Sequence, residues 1–224
     1  VCTGDSAFLL SVNEVKNDDS GVSAVLSKVA YYKNLDKTCV GITVRSWSNS
    51  DQFLSYMHAF AILINHYAPK GFIFFFMPQV TGPSSVEDDR IVSRKIYDIV
   101  EKSSKSSIFI VEEEMDIPNL FKIYAQMDYF IATRLHSLIF ALLNGVPVIA
   151  IGYEPKTLGI LKDLGLQSFV SDIKILTPRI LHKSFENLME TSRGIFINAR
   201  NNAIHQAEKN IDYILKVSKK YDYF

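Results

Sequence analysis

Two basic side chains stand at the start of a predicted helix, where positive charge is normally disfavoured. Residues 129–132 form a predicted strand, which Thr133, Arg134, Leu135 and His136 follow directly. A helix N-terminus is already positive, so cations in its first turn make sense if an anion binds among them. If Thr133 is the N-cap, Leu135 would face inward, and backbone N–H groups, the guanidinium and the imidazole would converge. This spacing predicts an anion site with a histidine able to move a proton.

Further cations follow other predicted strands. Arg45 comes after a predicted strand at residues 40–44, and Tyr153 and Lys156 come after one at residues 146–151. Ligands of open α/β sheets bind beyond the carboxyl ends of the strands, so these side chains would share a crevice with the first group. Each also has a plainer explanation: a lone arginine is more often solvated or salt-bridged, a lone lysine lies on the surface, and the histidine and threonine could be structural. The prediction of an anion site therefore depends on several of these side chains meeting at one edge of the sheet.

These loops are positioned by an alternation of apolar runs and amphipathic stretches. Predicted strands lie at residues 40–44, 71–77, 107–111, 129–132 and 146–151, and predicted helices lie at residues 50–67, 87–101, 118–126, 134–144 and 155–164. Such alternation indicates right-handed βαβ units, and the continuous apolar run at residues 72–76 is typical of a sheet covered on both faces. The sequence therefore predicts an α/β, Rossmann-like fold with a mainly parallel sheet and helices on both faces.

The first part of the chain does not fit the alternation. Residues 1–36 are interpreted as a linker or as the remnant of a missing N-terminal domain. Residues 37–224 are predicted to form one Rossmann-like domain that ends in a helical tail. Because the chain begins with Val1 rather than methionine, we expect it to be part of a longer protein.

Composition narrows the class of protein. The chain has 224 residues, with 24 Lys and Arg against 24 Asp and Glu, so its formal charge is zero. That balance argues against a general nucleic-acid or anionic-membrane surface. No apolar run approaches the roughly 18 residues of a membrane span. The two cysteines, Cys2 and Cys39, do not form a disulfide framework and are consistent with a reducing compartment. We expect a cytoplasmic protein without a membrane span and without a nucleic-acid partner.

Several well-known sequence motifs are missing. No strand is followed by Gly-x-Gly-x-x-Gly, by a Walker lysine loop or by a Gly-x-Ser-x-Gly elbow. His58 and His66 have no acidic partner at ligand spacing, so we expect no metal site. Anion binding would therefore depend on side chains and helix ends.

Three segments together resemble the polysaccharide pyruvyl transferase family. The most specific is the block from Asp128 to Lys156, with Thr133-Arg134-Leu135-His136, Gly145-Val146-Pro147 and Tyr153-Glu154-Pro155-Lys156. Gly41-Ile42-Thr43-Val44-Arg45 resembles the first strand of that family's C-terminal domain, and Gly4-Asp5-Ser6-Ala7-Phe8 resembles the segment where its two domains join, although the family usually has a proline in place of Ser6. The resemblance implies half of a glycosyltransferase-B-like architecture, namely the C-terminal, donor-binding domain.

The resemblance also implies a reaction. Family members transfer pyruvate from phosphoenolpyruvate to two hydroxyls of a sugar, which forms a cyclic ketal. The implied partners are phosphoenolpyruvate and a sugar or glycan acceptor, with peripheral contact to lipid-linked glycans left open, and no cofactor or metal is implied. The isolated chain could be inactive without an N-terminal domain.

Family position also suggests roles for individual residues. Arg45 and Arg134 would bind the phosphate or carboxylate, with Lys156 as a weaker candidate. His136 would be the general acid or base, protonating the methylene carbon or taking a proton from a hydroxyl, with Arg134 as the second catalytic residue. The other implied donor-site residues are Thr133, Leu135 and Tyr153.

Two other functions remain open from the sequence. One is a nucleotide-sugar glycosyltransferase or epimerase of the same fold, although no clear acidic residue for a ribose stands near the last strands. The other is a non-catalytic module that keeps an anion pocket.

Overall fold

The fold is a six-stranded, all-parallel sheet with the strand order β3-β2-β1-β4-β5-β6. A computed structural model describes residues 5–10, 20–47, 50–84 and 87–220. The strands are β1 (Thr38–Thr43), β2 (Phe72–Phe76), β3 (Ile108–Ile110), β4 (Tyr129–Ala132), β5 (Val148–Gly152) and β6 (Val170–Asp172). The order reverses between β1 and β4, which makes their carboxyl ends the switch point where such sheets bind ligands.

Helices cover both faces of this sheet. They are α1 (Ser20–Lys33), α2 (Ser50–Tyr67), α3 (Asp89–Ile99), α4 (Ile117–Tyr124), α5 (Leu135–Leu143), α6 (Pro155–Asp163), α7 (Pro178–Glu190) and α8 (Arg193–Lys220). Helix α2 packs against α3 and α7 on one face, while α4 and α8 pack against α5 on the other. The predicted parallel α/β sheet with helices on both faces is thus confirmed.

The central strands are packed too tightly for an ordinary side chain at one position. Gly41 in β1 lies beside Phe130 of β4, and a Cβ atom at Gly41 would lie 2.4 Å from the Phe130 ring and 2.7 Å from the Met77 methyl carbon. Glycine at residue 41 therefore lets the aromatic ring lie against the β1 backbone. Backbone hydrogen bonds set the spacing of these two strands, and the glycine leaves room for the ring on one face of the sheet.

Two elements differ from the prediction. Strand β6 was not expected, because it has only three residues and its sequence Val-Ser-Asp carries no apolar run. Helix α1 lies within the range interpreted as a linker or remnant, yet Val22 and Val29 are buried and the helix packs against β1 and α4. Its core-facing residues Val22, Val25, Leu26 and Val29 follow the spacing of an amphipathic helix, so this helix could have been predicted from the sequence. Val1, Cys2 and Gly4 lie outside the described residues.

Among the helices that the structure describes, none is both long enough and apolar enough to cross a membrane.

Candidate active site

The candidate site begins where β1 and β4 leave the sheet side by side. Thr43 is the register partner of Ala132, so the next residues of both strands emerge at the same edge. Val44 and Arg45 follow β1, and Thr133 and Arg134 follow β4. The structure therefore brings the two arginine-bearing loops together at the switch point, whereas the sequence predicts only that both lie at the carboxyl edge of the sheet.

A chain of buried hydroxyl groups fixes the two loops to each other. The Tyr56 hydroxyl lies 2.9 Å from the Thr133 hydroxyl and accepts the Arg45 backbone N–H at 3.3 Å. The Thr133 N–H donates to the Thr43 hydroxyl at 3.1 Å, and that hydroxyl lies 2.7 Å from the Ser137 hydroxyl. Burial raises the pKa of Tyr56, so the phenol keeps its proton as a hydrogen-bonding group. The backbone that carries both arginines is consequently rigid.

Helix α5 begins one residue later than predicted. Its N-cap is Arg134, whose backbone is extended, and Leu135 is the first helical residue. Thr133 is therefore not the cap, because its hydroxyl bonds Tyr56 instead of a helix N–H. The Ser137 hydroxyl donates to the Arg134 carbonyl at 2.6 Å and closes the first turn. Leu135 is half-buried against the core, and His136 is exposed in that first turn.

Arg134 is held by a carboxylate that the sequence did not reveal. Its Nη2 lies 2.6 Å from Oδ1 of Asp89, and its Nε donates to Oδ2 at 3.3 Å. Asp89 is 1 % exposed, and its Oδ2 also accepts the backbone N–H groups of Gln79 and Val80. Burial raises the pKa of Asp89 above its ordinary value, although Arg134 and these N–H groups oppose that shift. The Asp89 carboxylate thus fixes the direction of the guanidinium and engages its Nε and Nη2 atoms.

Arg45 takes a different position, against an aromatic ring. The centre of its guanidinium lies 3.8 Å from the centroid of Tyr153, and its Nε donates to the Ser46 carbonyl at 3.2 Å. The Tyr153 ring in turn lies 6.3 Å from that of Trp47. Cation–π contact orients the guanidinium without neutralising it. Arg45 and Tyr153, from loops on opposite sides of β4, are therefore brought together.

Lys156 and His136 share a second unexpected carboxylate, Asp5. The Lys156 Nζ lies 2.9 Å from Oδ2 of Asp5, and Oδ1 accepts the Ala7 N–H at 3.0 Å. Burial on its own would raise the pKa of Asp5, but this N–H, the Lys156 ammonium and the nearby His136 outweigh it and hold the pKa below its ordinary value. Lys156 is consequently an ion-paired residue rather than an unoccupied anion ligand.

Local patterns could not have identified these two carboxylates. Asp89 stands in the first turn of α3, where an acidic residue is already explained by the helix dipole, and its partner Arg134 lies 45 residues away. Asp5 meets its partner across 151 positions, from residue 5 to residue 156. Among the described residues, no group of three or more His, Cys, Asp or Glu side chains is arranged to hold a metal ion.

Comparison of the sequence with known proteins identifies a family and curated relatives. The family model described as polysaccharide pyruvyl transferase matches residues 1–155. The amylovoran biosynthesis protein AmsJ of Erwinia amylovora is 31 % identical over 178 residues, which cover 77 % of this chain and 41 % of AmsJ. The chain thus spans less than half the length of this relative.

Similar solved structures show the architecture. The S. aureus MnaA–UDP structure gives a TM-score of 0.63 at 14 % identity, covering 100 % of this chain and 54 % of MnaA. The E. coli trehalose-6-phosphate structure with bound UDP-2-fluoro glucose gives 0.62 at 12 % identity, covering 93 % of this chain and 47 % of that one. At such identities the likeness establishes the fold, which is Rossmann-like and of the glycosyltransferase-B type. By the family match over most of its length, the chain belongs to the polysaccharide pyruvyl transferase family.

Proposed function

We propose that this chain binds phosphoenolpyruvate as the donor in a transfer of its pyruvyl group to two hydroxyls of a sugar. Family membership and the likeness to AmsJ support a role in polysaccharide biosynthesis. The ketal-forming reaction is the more specific proposal, and it applies to whatever longer protein contains this chain.

The observation that carries the proposal is the pair of arginines at the switch point. Arg45 and Arg134 follow the two strands on either side of it, and both are held by their surroundings, one by Tyr153 and the other by Asp89. Phosphoenolpyruvate carries a phosphate and a carboxylate on a three-carbon unit, so it suits two separate guanidinium groups. The N-terminus of α5, which follows Arg134 directly in sequence, adds backbone N–H groups.

The reaction balances without an oxidant, a reductant or a cofactor. The methylene carbon of phosphoenolpyruvate gains a proton and becomes a methyl group, while one sugar oxygen bonds to the central carbon. A second sugar oxygen then displaces phosphate from the same carbon, which closes the cyclic ketal. The two hydroxyl protons are thereby conserved, one on the new methyl group and one on the released phosphate.

His136 is assigned to the proton transfer. It is exposed in the first turn of α5, next to Arg134 in sequence, and imidazole is the side chain that most often serves as a general acid or base. In the proposed step, the imidazolium donates its proton to the methylene carbon and recovers one from the attacking hydroxyl. Arg45 and Arg134 hold the phosphate and carboxylate while the charge on the leaving phosphate grows.

Titration calorimetry of the chain with phosphoenolpyruvate tests the donor assignment. Arg45→Ala should weaken binding by about 10-fold or more, since hydrogen bonds to charged groups contribute about 1.5–3 kcal/mol. Arg134→Lys keeps a partner for Asp89 and should also weaken binding. The matched control is Arg94→Ala, which removes an exposed arginine paired with Glu112 and should leave binding unchanged. Tighter binding of UDP-glucose than of phosphoenolpyruvate would instead favour a nucleotide-sugar enzyme.

Phosphate release in the presence of a sugar acceptor tests His136 separately. His136→Ala should lower turnover by about 10²–10⁴ while changing phosphoenolpyruvate affinity far less than Arg45→Ala does. His205→Ala, which alters an exposed histidine on α8, is the control. Nearly normal turnover in His136→Ala would reject the proton-transfer role and leave the donor site in place.

A further inference from the structure

A cavity lies beside the two arginines, and the proposed donor does not occupy it. It has a volume of about 370 Å³ and lies at the carboxyl ends of β5 and β6. Tyr153, Glu154 and Leu158 line one side, and Ser171, Asp172 and Lys174 line the other. Its volume is in the range of small-molecule sites, and it opens on the same edge of the sheet as the switch point.

Tyr153 connects this cavity to the donor site. Its ring lines the cavity and also holds the Arg45 guanidinium 3.8 Å from its centroid. A ligand in the cavity would therefore lie one aromatic ring away from the group assigned to the phosphate or carboxylate. The two binding positions are therefore neighbours on one edge of the sheet.

The charge of the cavity makes it a poor site for a second anion. Glu154 and Asp172 supply two carboxylates and Lys174 supplies one ammonium, which leaves one net negative charge. Asp172 accepts the Lys174 backbone N–H at 2.8 Å as the cap of a short 3₁₀ turn. Glu154 is the N-cap of α6, but its side chain makes no capping hydrogen bond there, so the carboxylate can accept bonds from a ligand.

The remaining lining suits a sugar ring. The Tyr153 ring and the exposed Leu158 side chain supply apolar surface, and Ser171 supplies a hydroxyl group. Pyranose rings offer an apolar C–H face together with hydroxyl donors at the rim. Carboxylates beside an aromatic ring match both features, because the hydroxyls donate to the oxygens and the C–H face covers the ring.

We propose that this cavity is the acceptor subsite and that it binds an uncharged pyranose with free hydroxyl groups. The inference rests on the proposed function, since it takes the arginine site to be the donor site. It assigns the uncharged sugar to the β5–β6 side of Tyr153 and the anionic donor to the β1–β4 side. Any phosphate or uronate group on the glycan would lie outside the cavity.

Amide chemical shifts of the whole 224-residue chain test this subsite. Methyl glycosides of glucose, galactose and mannose are titrated at millimolar concentration, with glucuronate as the charged probe and phosphoenolpyruvate in a separate series. At least one neutral glycoside should shift the amides of Gly152 and Ser171, and glucuronate should bind about 10-fold more weakly or not at all. Phosphoenolpyruvate should shift Arg45 and Arg134 instead.

Two variants probe the cavity wall, each with a matched control. Glu154→Gln should weaken the glycoside by about 10-fold, and Leu158→Trp should fill the cavity and abolish binding. Glu101→Gln changes another N-cap glutamate that makes no capping bond, and Leu54→Trp changes a leucine of similar exposure on α2, so both controls should bind normally. Phosphoenolpyruvate affinity should stay unchanged in all four variants.

The outcomes separate this inference from the proposed function. Phosphoenolpyruvate binding at the arginines, with glycosides that shift no cavity amide, would overturn the acceptor subsite and leave the donor assignment standing. Glucuronate binding as tightly as the neutral glycosides would overturn the assignment to an uncharged sugar. Glycoside shifts in the cavity without any phosphoenolpyruvate binding would support the sugar site and contradict the proposed function.

Discussion

At the scale of residues, the two arginines of the site differ in their partners within the protein. Arg134 is 17 % exposed and paired with a carboxylate, whereas Arg45 lies against a neutral ring. Arg45 therefore offers the stronger unpaired charge to a donor, and Arg134 offers a fixed direction. Asp89 is a positioning residue, because it acts on a ligand only through Arg134.

Asp89→Asn tests this positioning role. The variant keeps the shape of the side chain but removes the charge that Arg134 pairs with, so the unfolding free energy should fall by about 2 kcal/mol. Phosphoenolpyruvate affinity should fall severalfold, since the guanidinium loses its fixed direction. Chemical denaturation and calorimetry measure the two effects.

The control for that variant is Glu112→Gln, which removes the partner of Arg94 in an exposed ion pair. This variant should lower the unfolding free energy by less than about 1 kcal/mol and leave donor binding unchanged. An Asp89→Asn protein with undiminished phosphoenolpyruvate affinity would show that the ion pair serves stability alone.

Tyr56→Phe tests the buried hydroxyl chain. The variant removes the group between Thr133 and the Arg45 N–H, so the unfolding free energy should fall by about 1–2 kcal/mol and donor affinity should fall with it. Tyr67→Phe is the control, because Tyr67 is also buried in α2 but its ring packs against Phe72 and Phe185. Equal donor affinity in the two variants would contradict a role for Tyr56 in holding the site.

The sequence could indicate the cations of the site but not their counter-ions. Arg45, Arg134 and Lys156 stand directly after predicted strands, and parallel topology alone brings strand ends together. Asp5 and Asp89 reach the same edge from a terminal segment and from the start of α3. Pairing across such distances in sequence is a result of tertiary packing, which no local pattern encodes.

At the scale of elements, the packing of the Phe130 ring over β1 depends on one glycine. Gly41→Ala places a methyl group within 2.4 Å of the Phe130 ring, so the unfolding free energy should fall by about 1–3 kcal/mol. Gly159 lies in the exposed middle of α6 with open space around it, so Gly159→Ala should raise the unfolding free energy by about 0.5–1 kcal/mol. Thermal or chemical denaturation of both variants provides the comparison, and a stable Gly41→Ala protein would refute the packing argument.

Most elements could be predicted because their patterns are strong. The five predicted strands are short apolar runs between turn residues, and the C-caps of α5 and α6, Asn144 and Leu164, are followed by Gly145 and Gly165 at positive φ. Strand β6 could not be found, since three residues carry too little periodicity. Helix α1 could have been predicted, since Val22, Val25, Leu26 and Val29 have helical spacing, and its packing against β1 joins it to the domain.

At the scale of the whole molecule, the zero net charge is an average over paired and unpaired groups. Lys156 and Arg134 are neutralised by Asp5 and Asp89, while the cavity beside Tyr153 carries a small negative excess. The carboxyl edge of the sheet is thus divided into a cationic part and an anionic part. This division is what the transfer of an anionic donor to an uncharged sugar requires.

The chain covers about half of each similar solved structure and 41 % of AmsJ. Its own residues form the proposed donor site and a neighbouring cavity, both on one edge of one Rossmann-like sheet. The central claim is that the donor lies at the switch point between β1 and β4.

A crystal structure of the chain soaked with phosphoenolpyruvate or its phosphonate analogue tests that claim most directly. The account predicts the phosphorus group and the carboxylate within hydrogen-bonding distance of Arg45 and Arg134, with the methylene carbon facing His136. A donor bound in the cavity lined by Glu154 and Asp172, or anywhere away from the two arginines, would contradict it.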